Sequence, residues 1–216
     1  MTYNIRHGAD AGLDMRILAE DILRNTPDVV GIQEIDEETS RVGGMRTLEE
    51  LSRATGYSYV SFAKAMDYRG GAYGTGILSR YPIREAETVA LYSESEPRVL
   101  GYALLDVEGE PLHFFNTHLE YVSEQVRRKE LEEVALRLSS CERFVLTGDF
   151  NTSNLSEFEV LPRCQTVNDG RYGSFYATGD AIDHIFYSDD FTLKASAMDP
   201  VTHSDHCLIW ADLEVR

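Results

Sequence analysis

Phe144-Val145-Leu146-Thr147-Gly148-Asp149-Phe150-Asn151 is a run of apolar and small residues that stops at a carboxylate and an amide. A strand buried on both faces carries no charge along its length, so it reads as such a continuous run. Its end meets solvent, where a polar side chain can work while rigid backbone holds it. Three more stretches share this form. Val29-Val30-Gly31-Ile32-Gln33 ends in Glu34, and Leu112-His113-Phe114-Phe115 leads into Asn116-Thr117-His118. In the reverse sense, Thr202-His203-Ser204-Asp205-His206 precedes the apolar run Cys207-Leu208-Ile209-Trp210-Ala211. One such end means little. Four of them, carrying Glu, His, Asp/Asn and Asp/His, form a constellation suited to a hard metal and a phosphate.

Outward from these runs the chain reads as many strands and few helices. Thr2–Ile5 is a short strand. Asp14 caps a helix with Met15, Leu18 and Ile22 on one face, and Asn25-Thr26-Pro27 stops it. Thr47-x-x-Glu50 predicts a capping box before a short helix that Gly56 ends. Strands are expected around Ser58–Phe62, Gly76–Ser79, Thr88–Leu91, Val99–Val107 and Leu112–Asn116, with Glu108-Gly109-Glu110 as a hairpin turn. A helix from Ser123 to Ser139 carries the stripe Leu131, Val134, Ala135 and Leu138. Further strands fall near Ile182–Tyr187, Phe191–Ala195 and Cys207–Leu213. The mixed order, without strict βαβ alternation, predicts an α/β sandwich of two packed sheets with helices outside.

The 216 residues, 43% of them hydrophobic, suit a single domain over 1–216 with a full core. No linker, low-complexity segment or internal repeat is visible, and no apolar stretch is long enough for a transmembrane helix. A formal net charge of -17 removes any generic long-range attraction for nucleic acid and weakens a duplex-DNA reading. Cys141, Cys164 and Cys207 have no CxxC spacing, so reduced thiols are expected and a thiolate zinc site is not. No obligate protein partner is evident, and a monomer is expected. Met1-Thr2-Tyr3-Asn4 begins directly on a strand pattern, so residues are expected upstream of it; the compartment stays open between cytoplasmic and secreted.

Six blocks then stand in order: Tyr3-Asn4-Ile5, Ile32-Gln33-Glu34, Asn116-Thr117-His118-Leu119, Gly148-Asp149-Phe150-Asn151, Ile182-Asp183-His184-Ile185 and Ser204-Asp205-His206. Together they resemble the endonuclease/exonuclease/phosphatase superfamily, with Arg6-His7-Gly8 and Gly76-Ile77-Leu78-Ser79-Arg80 closest to its small bacterial members. The resemblance spans Asn4 to His206. It implies a deoxyribonuclease-I-like four-layer α/β sandwich, two packed mixed β-sheets flanked by helices, with the active site at one end of the sheets. It also implies a Mg²⁺- or Mn²⁺-dependent hydrolase of phosphate esters, a phosphodiesterase before a monoesterase.

The resemblance assigns roles residue by residue. Glu34 is the central metal ligand, which agrees with the preference of hard ions for carboxylates. Asp205 completes the metal site, and Asn4 contacts metal, water or phosphate. Asp149 activates the attacking water, and Asn151 donates to a nonbridging oxygen; their i, i+2 spacing on an extended segment would put both on one side. His206 binds the phosphate, oriented by Asp183, and the two Asp roles could be exchanged between metal and histidine. His118 is a second phosphate-facing imidazole or leaving-group acid. Arg6 is a substrate-binding candidate, with Arg98 and Arg41 weaker ones of the same kind, because guanidinium grips phosphate. The ordinary readings stand beside these: a strand-end Asn or Asp/Asn pair as a turn, an Arg as an ion pair, and a lone His as structural, which suits His113. His184 follows Asp183 on a strand and should face the other way. His7 and His203 lie outside the catalytic set. The pattern departs from abasic-site enzymes at Arg6, where they carry an acid, and at His118, where they carry Tyr. Ala181 and Cys207 stand where family members often have a basic residue and Pro. The substrate, nucleic acid or a small or lipid phosphodiester, is open. A different class, a catalytically weak binding or scaffold module retaining the fold, is disfavoured by the intact motif set.

Overall fold

The computed structural model describes every residue from Met1 to Arg216. In chain order it contains β1 (Thr2–Asn4), α1 (Met15–Leu23), β2 (Val29–Glu37), α2 (Thr47–Thr55), β3 (Tyr59–Tyr68), β4 (Gly71–Ser79), β5 (Ile83–Ala90), β6 (Val99–Val107), β7 (Glu110–His118), α3 (Glu124–Ser139), β8 (Phe144–Asp149), β9 (Cys164–Thr166), β10 (Asp183–Ser188), β11 (Phe191–Asp199) and β12 (Leu208–Val215). Two six-stranded sheets result, ordered β11-β12-β1-β2-β4-β3 and β5-β6-β7-β8-β10-β9. Each is antiparallel except for one central parallel pair, β1 with β2 and β7 with β8. A parallel pair needs a crossover, and α1 and α3 supply one each.

Three hydrophobic clusters fill the three spaces of a four-layer sandwich. One joins Leu18 and Ile22 of α1 and Leu51 of α2 to Tyr3 and Ile32 of the first sheet. A second joins Leu131, Val134 and Leu138 of α3 to Phe115, Phe144 and Leu146 of the second sheet. A third lies between the sheets and includes Ile77, Leu105, Phe114, Val145 and Ile185. A fully buried Leu or Ile of this kind contributes about 1.5–3 kcal/mol. The fold expected from the sequence is therefore present.

The cap expected at α1 forms, and α3 carries a further, unexpected one. Asp14 caps α1 by accepting the Arg16 N–H, and Ser123 caps α3 by accepting the Val126 N–H. At α2 the expected capping box does not form. Thr47 is the first helical residue, its buried hydroxyl has no partner, and the Leu48 N–H donates instead to Glu37 Oε1 at 2.7 Å. A carboxylate brought in by β2 takes the place of the sequence-local cap. The hairpin turn forms as expected, with Glu108 at φ 55° and Gly109 at φ 95°, the pair of positive angles of a type I′ turn.

The sheets approach closely just beneath the site. Gln33 Nε2 donates to Asn116 Oδ1 at 2.6 Å, and Asn116 Nδ2 donates to the carbonyls of Ile32 and Gly76. Asn116 thus bolts one sheet to the other. Gly31 allows it: a Cβ there would lie 2.0 Å from Thr147 Oγ1 and 2.6 Å from Asn116 Oδ1. Gly31→Ala is expected to lower unfolding free energy by about 1–3 kcal/mol, the usual cost of overpacking. An unchanged midpoint in urea would show that the sheets can part at no cost.

Candidate active site

Polar residues converge where the two sheets end together. Asp149 closes β8, with Asp183 opening β10 on one side and His118 closing β7 on the other, all three in register. From the facing sheet come Asn4, the last residue of β1, and Glu34 of β2. Glu34 sits in a bulge, where the β2–β4 register slips between Ile32 and Ile35, and its φ is +57°. A non-glycine residue in that region is strained. The bulge re-aims the side chain out of the strand pattern and into the cleft.

Asn4 is fully buried and joins the two sheets: its Nδ2 donates to Asp149 Oδ2 at 3.0 Å and to Glu34 Oε1 at 3.2 Å. Its Oδ1 accepts the Arg6 N–H at 3.0 Å. Asn4 therefore spaces two carboxylates, and its oxygen is already engaged. Asn151 does not continue an extended segment. Its φ is +53°, its N–H donates to Asp149 Oδ1 at 3.0 Å, and its Nδ2 donates to the Leu119 carbonyl at 2.9 Å. Proximity to Asp149 comes from a tight turn, not from strand alternation.

His206 enters from the loop before β12. Its Nδ1 donates to Asp183 Oδ2 at 2.8 Å, and its Nε2 lies 3.7 Å from Asp149 Oδ2. Burial works against its charge, but Asp183, then Asp149 and Asp205, outweigh burial and raise its pKa to about 10. Burial, then the neighbouring Asp183 charge, pushes Asp149 up to about 7. His118 lies with Nε2 3.5 Å from Asp149 Oδ2. Burial, then Arg98 and His206, hold it well below the ordinary histidine range, so its ring is neutral. A neutral ring suits hydrogen-bond donation better than acid catalysis. Burial also raises Glu34.

The donor chemistry fits a divalent ion. Asp149, Asp183 and His206 offer donor atoms that all lie within 4.8 Å of one another. Buried Oδ1 atoms of Asp183 and Asp205 have no hydrogen-bond partner. Four carboxylates, those of Glu34, Asp149, Asp183 and Asp205, face one imidazolium and the Arg6 guanidinium, an excess that a cation offsets. His206 Nδ1 is taken by Asp183, and both Asp149 oxygens accept from Asn4 and Asn151, so the freer carboxylates are Glu34 and Asp205, whose Oδ1 has no partner.

The arginines occupy different places. Arg6 is at the rim, with Nη1 3.2 Å from Asp10 and Nε 3.5 Å from Asp205. Arg98 is buried and pairs with Glu96 at 2.8 Å. Arg41 pairs with the fully buried Asp36 at 2.6 Å. His113 bonds the Tyr102 hydroxyl, and His184 packs among Phe150, Phe158 and Phe186 away from the cleft, as its strand position requires.

Three contributors were not legible in the sequence. Ser174 Oγ donates to Asp183 Oδ2 at 2.6 Å, Tyr73 Oη is 3.5 Å from His118 Nδ1, and Phe175 packs against the His206 ring. None lies in a motif block, because Ser174 and Phe175 come from the loop before β10 and Tyr73 from the facing sheet. The cleft, about 500 Å³, is lined by Glu34, His118, Asp149, Asn151, Asp205 and His206 together with Tyr68, Glu96, Tyr121 and Asp180.

Comparison with known proteins agrees with this architecture. An endonuclease/exonuclease/phosphatase from Beutenbergia cavernae DSM 12333 superposes with a TM-score of 0.81 at 20% identity, covering 99% of this chain and 70% of that one. The Bacteroides thetaiotaomicron VPI-5482 mannosyl-6-phosphatase Bt3783 gives 0.80 at 18% identity, covering 99% and 98%. D. rerio TDP2 complexed with single strand DNA product gives 0.76 at 19% identity, covering 99% and 97%. No curated protein matches the chain by sequence. Residues 1–206 match the profile described as Endonuclease/Exonuclease/phosphatase family, and the chain belongs to that family.

Proposed function

We propose that this chain is a divalent-metal-dependent phosphoester hydrolase, a phosphodiesterase before a monoesterase, that works by direct attack of water. The observation that carries the reading is the buried line Asp183–His206–Asp149, joined by Asn4 to Glu34. Glu34 and Asp205, with Asn4 beside them, would hold Mg²⁺ or Mn²⁺, which when bound supplies charge neutralisation to the phosphate. Asp149 takes a proton from the attacking water as the new P–O bond forms and the ester P–O bond breaks. The His206 imidazolium meets the charge developing on a nonbridging oxygen, and Asn151 donates beside it. His118 donates from Nε2, its Nδ1 turned toward Tyr73.

The relatives bracket the substrate without choosing it: one is named a mannosyl-6-phosphatase and another holds a single-strand DNA product. The net charge of -17 and the cleft acids Glu96 and Asp180 disfavour duplex nucleic acid, so small, lipid or single-stranded esters come first. The test is a panel of a generic phosphodiester, a phosphomonoester, plasmid DNA, RNA oligonucleotides and phospholipid headgroups, with and without EDTA. Turnover of at least one is expected to vanish in EDTA and return with Mg²⁺ or Mn²⁺. Glu34→Gln should raise the Mg²⁺ Kd, measured by calorimetry, at least about tenfold, or 1.4 kcal/mol. Full turnover in chelator would end the metal assignment, and no turnover on any ester would favour a binding module.

A further inference from the structure

The loop that carries Asp205 and His206 is held by a carboxylate from a helix on the outside of the sandwich. Asp21 lies on the core-facing side of α1, between Leu18 and Ile22, and its side chain is fully buried. A buried charge is costly unless it is paired and hydrogen-bonded. Its contacts say where it is used. Asp21 Oδ2 accepts from His203 Nδ1 at 2.8 Å and, more weakly, from Tyr3 Oη at 3.4 Å. Arg24 Nη2 lies 2.9 Å from Oδ1 but off the direction a hydrogen bond needs, so Oδ1 makes none, and Arg24 is half exposed. His203 is the start of the segment that matters. The next residue, Ser204, donates from Oγ to the Asn4 carbonyl at 2.6 Å and accepts the His206 N–H at 3.2 Å.

We propose that the Asp21–His203 pair is a positioning clamp, fixing where Ser204, Asp205 and His206 sit against Asn4. Neither residue touches the cleft. They act through the loop, and a displacement of about 1 Å at reacting groups can cost up to a hundredfold in rate. The claim rests on the hydrolase reading only for its kinetic consequence.

The experiment compares stability with site geometry. Asp21→Leu removes the clamp and fills the core. It leaves the buried Tyr3 hydroxyl and His203 Nδ1 without their acceptor, so its melting temperature should fall, while the ring resonances of His206 in ¹⁵N-histidine-labelled protein move and kcat falls about tenfold to a hundredfold with KM little changed. His203→Phe should reproduce both changes and serves if Asp21→Leu does not fold. Asp21→Asn keeps an acceptor for His203 Nδ1 and should restore most of the rate. Leu18→Ala, which weakens the same helix without touching the loop, should leave the His206 resonances in place. Unmoved His206 resonances in a folded Asp21→Leu or His203→Phe variant would overturn the clamp. The resonances are read without substrate, so they decide the clamp even if no phosphoester is turned over, a result that would sink the hydrolase reading instead.

Discussion

Asp149→Asn is expected to lower kcat by about a hundredfold to ten-thousandfold, the range for loss of a general base. The amide has no basic lone pair for the water proton. It also cannot satisfy both neighbours: Asn4 Nδ2 and the Asn151 N–H both donate to Asp149, one to each oxygen. An Asn side chain offers one acceptor, so one donor is left facing an NH₂ group, at about 1–3 kcal/mol. The variant should therefore be both slow and less stable, as steady-state kinetics and thermal melting would show. A single turnover in ¹⁸O-water should place the label in the product phosphate. None of the three cysteines is paired, and Cys141 and Cys207 are buried, so a covalent thiol route is not expected. Trapping a phosphorylated His206 or His118 during turnover would replace the water mechanism with a covalent one.

His206→Ala is expected to cut kcat by at least about a hundredfold through loss of a transition-state donor. Asp183→Asn should act through the same ring, and the pH profile separates the two effects. Asp149 must be ionised to act, so kcat/KM should rise with pH through about 7. His206 must be protonated, so activity should fall as pH rises through about 10. Removing the Asp183 charge takes away the main support for that proton, so the basic limb should move to lower pH in Asp183→Asn. The linked stability has the same sign. A histidine raised from 6.5 contributes stability that is complete below about 6.5 and is lost as pH rises through about 10. An unmoved basic limb in Asp183→Asn would assign that limb to another group.

The sequence determined the order and character of the elements because those depend on local pattern. Buried strands announce themselves as apolar runs, so His118, Asp149 and His206 could be set near strand ends, whereas the strand expected to end at Glu34 runs on to Glu37. Asp14 could be read as a cap because it bonds within two residues of itself. The family motifs then brought the fold and the candidate site together. What tertiary structure decided is whatever depends on a partner distant in sequence. Glu37 displaced the Thr47 capping box because β2 delivers a carboxylate to the start of α2. A bulge, invisible in an apolar run, turned Glu34 into the cleft. The sheets also repeat a topology that no sequence repeat announces: strands β1-β2-β4-β3 and β7-β8-β10-β9 lie in the same relative order. That repetition places the ends of β1 and β2 opposite those of β7 and β8, where the Asn4 amide can reach Asp149. Hydrophobic period records which face of an element is buried, while the partner it meets is chosen by how the layers pack.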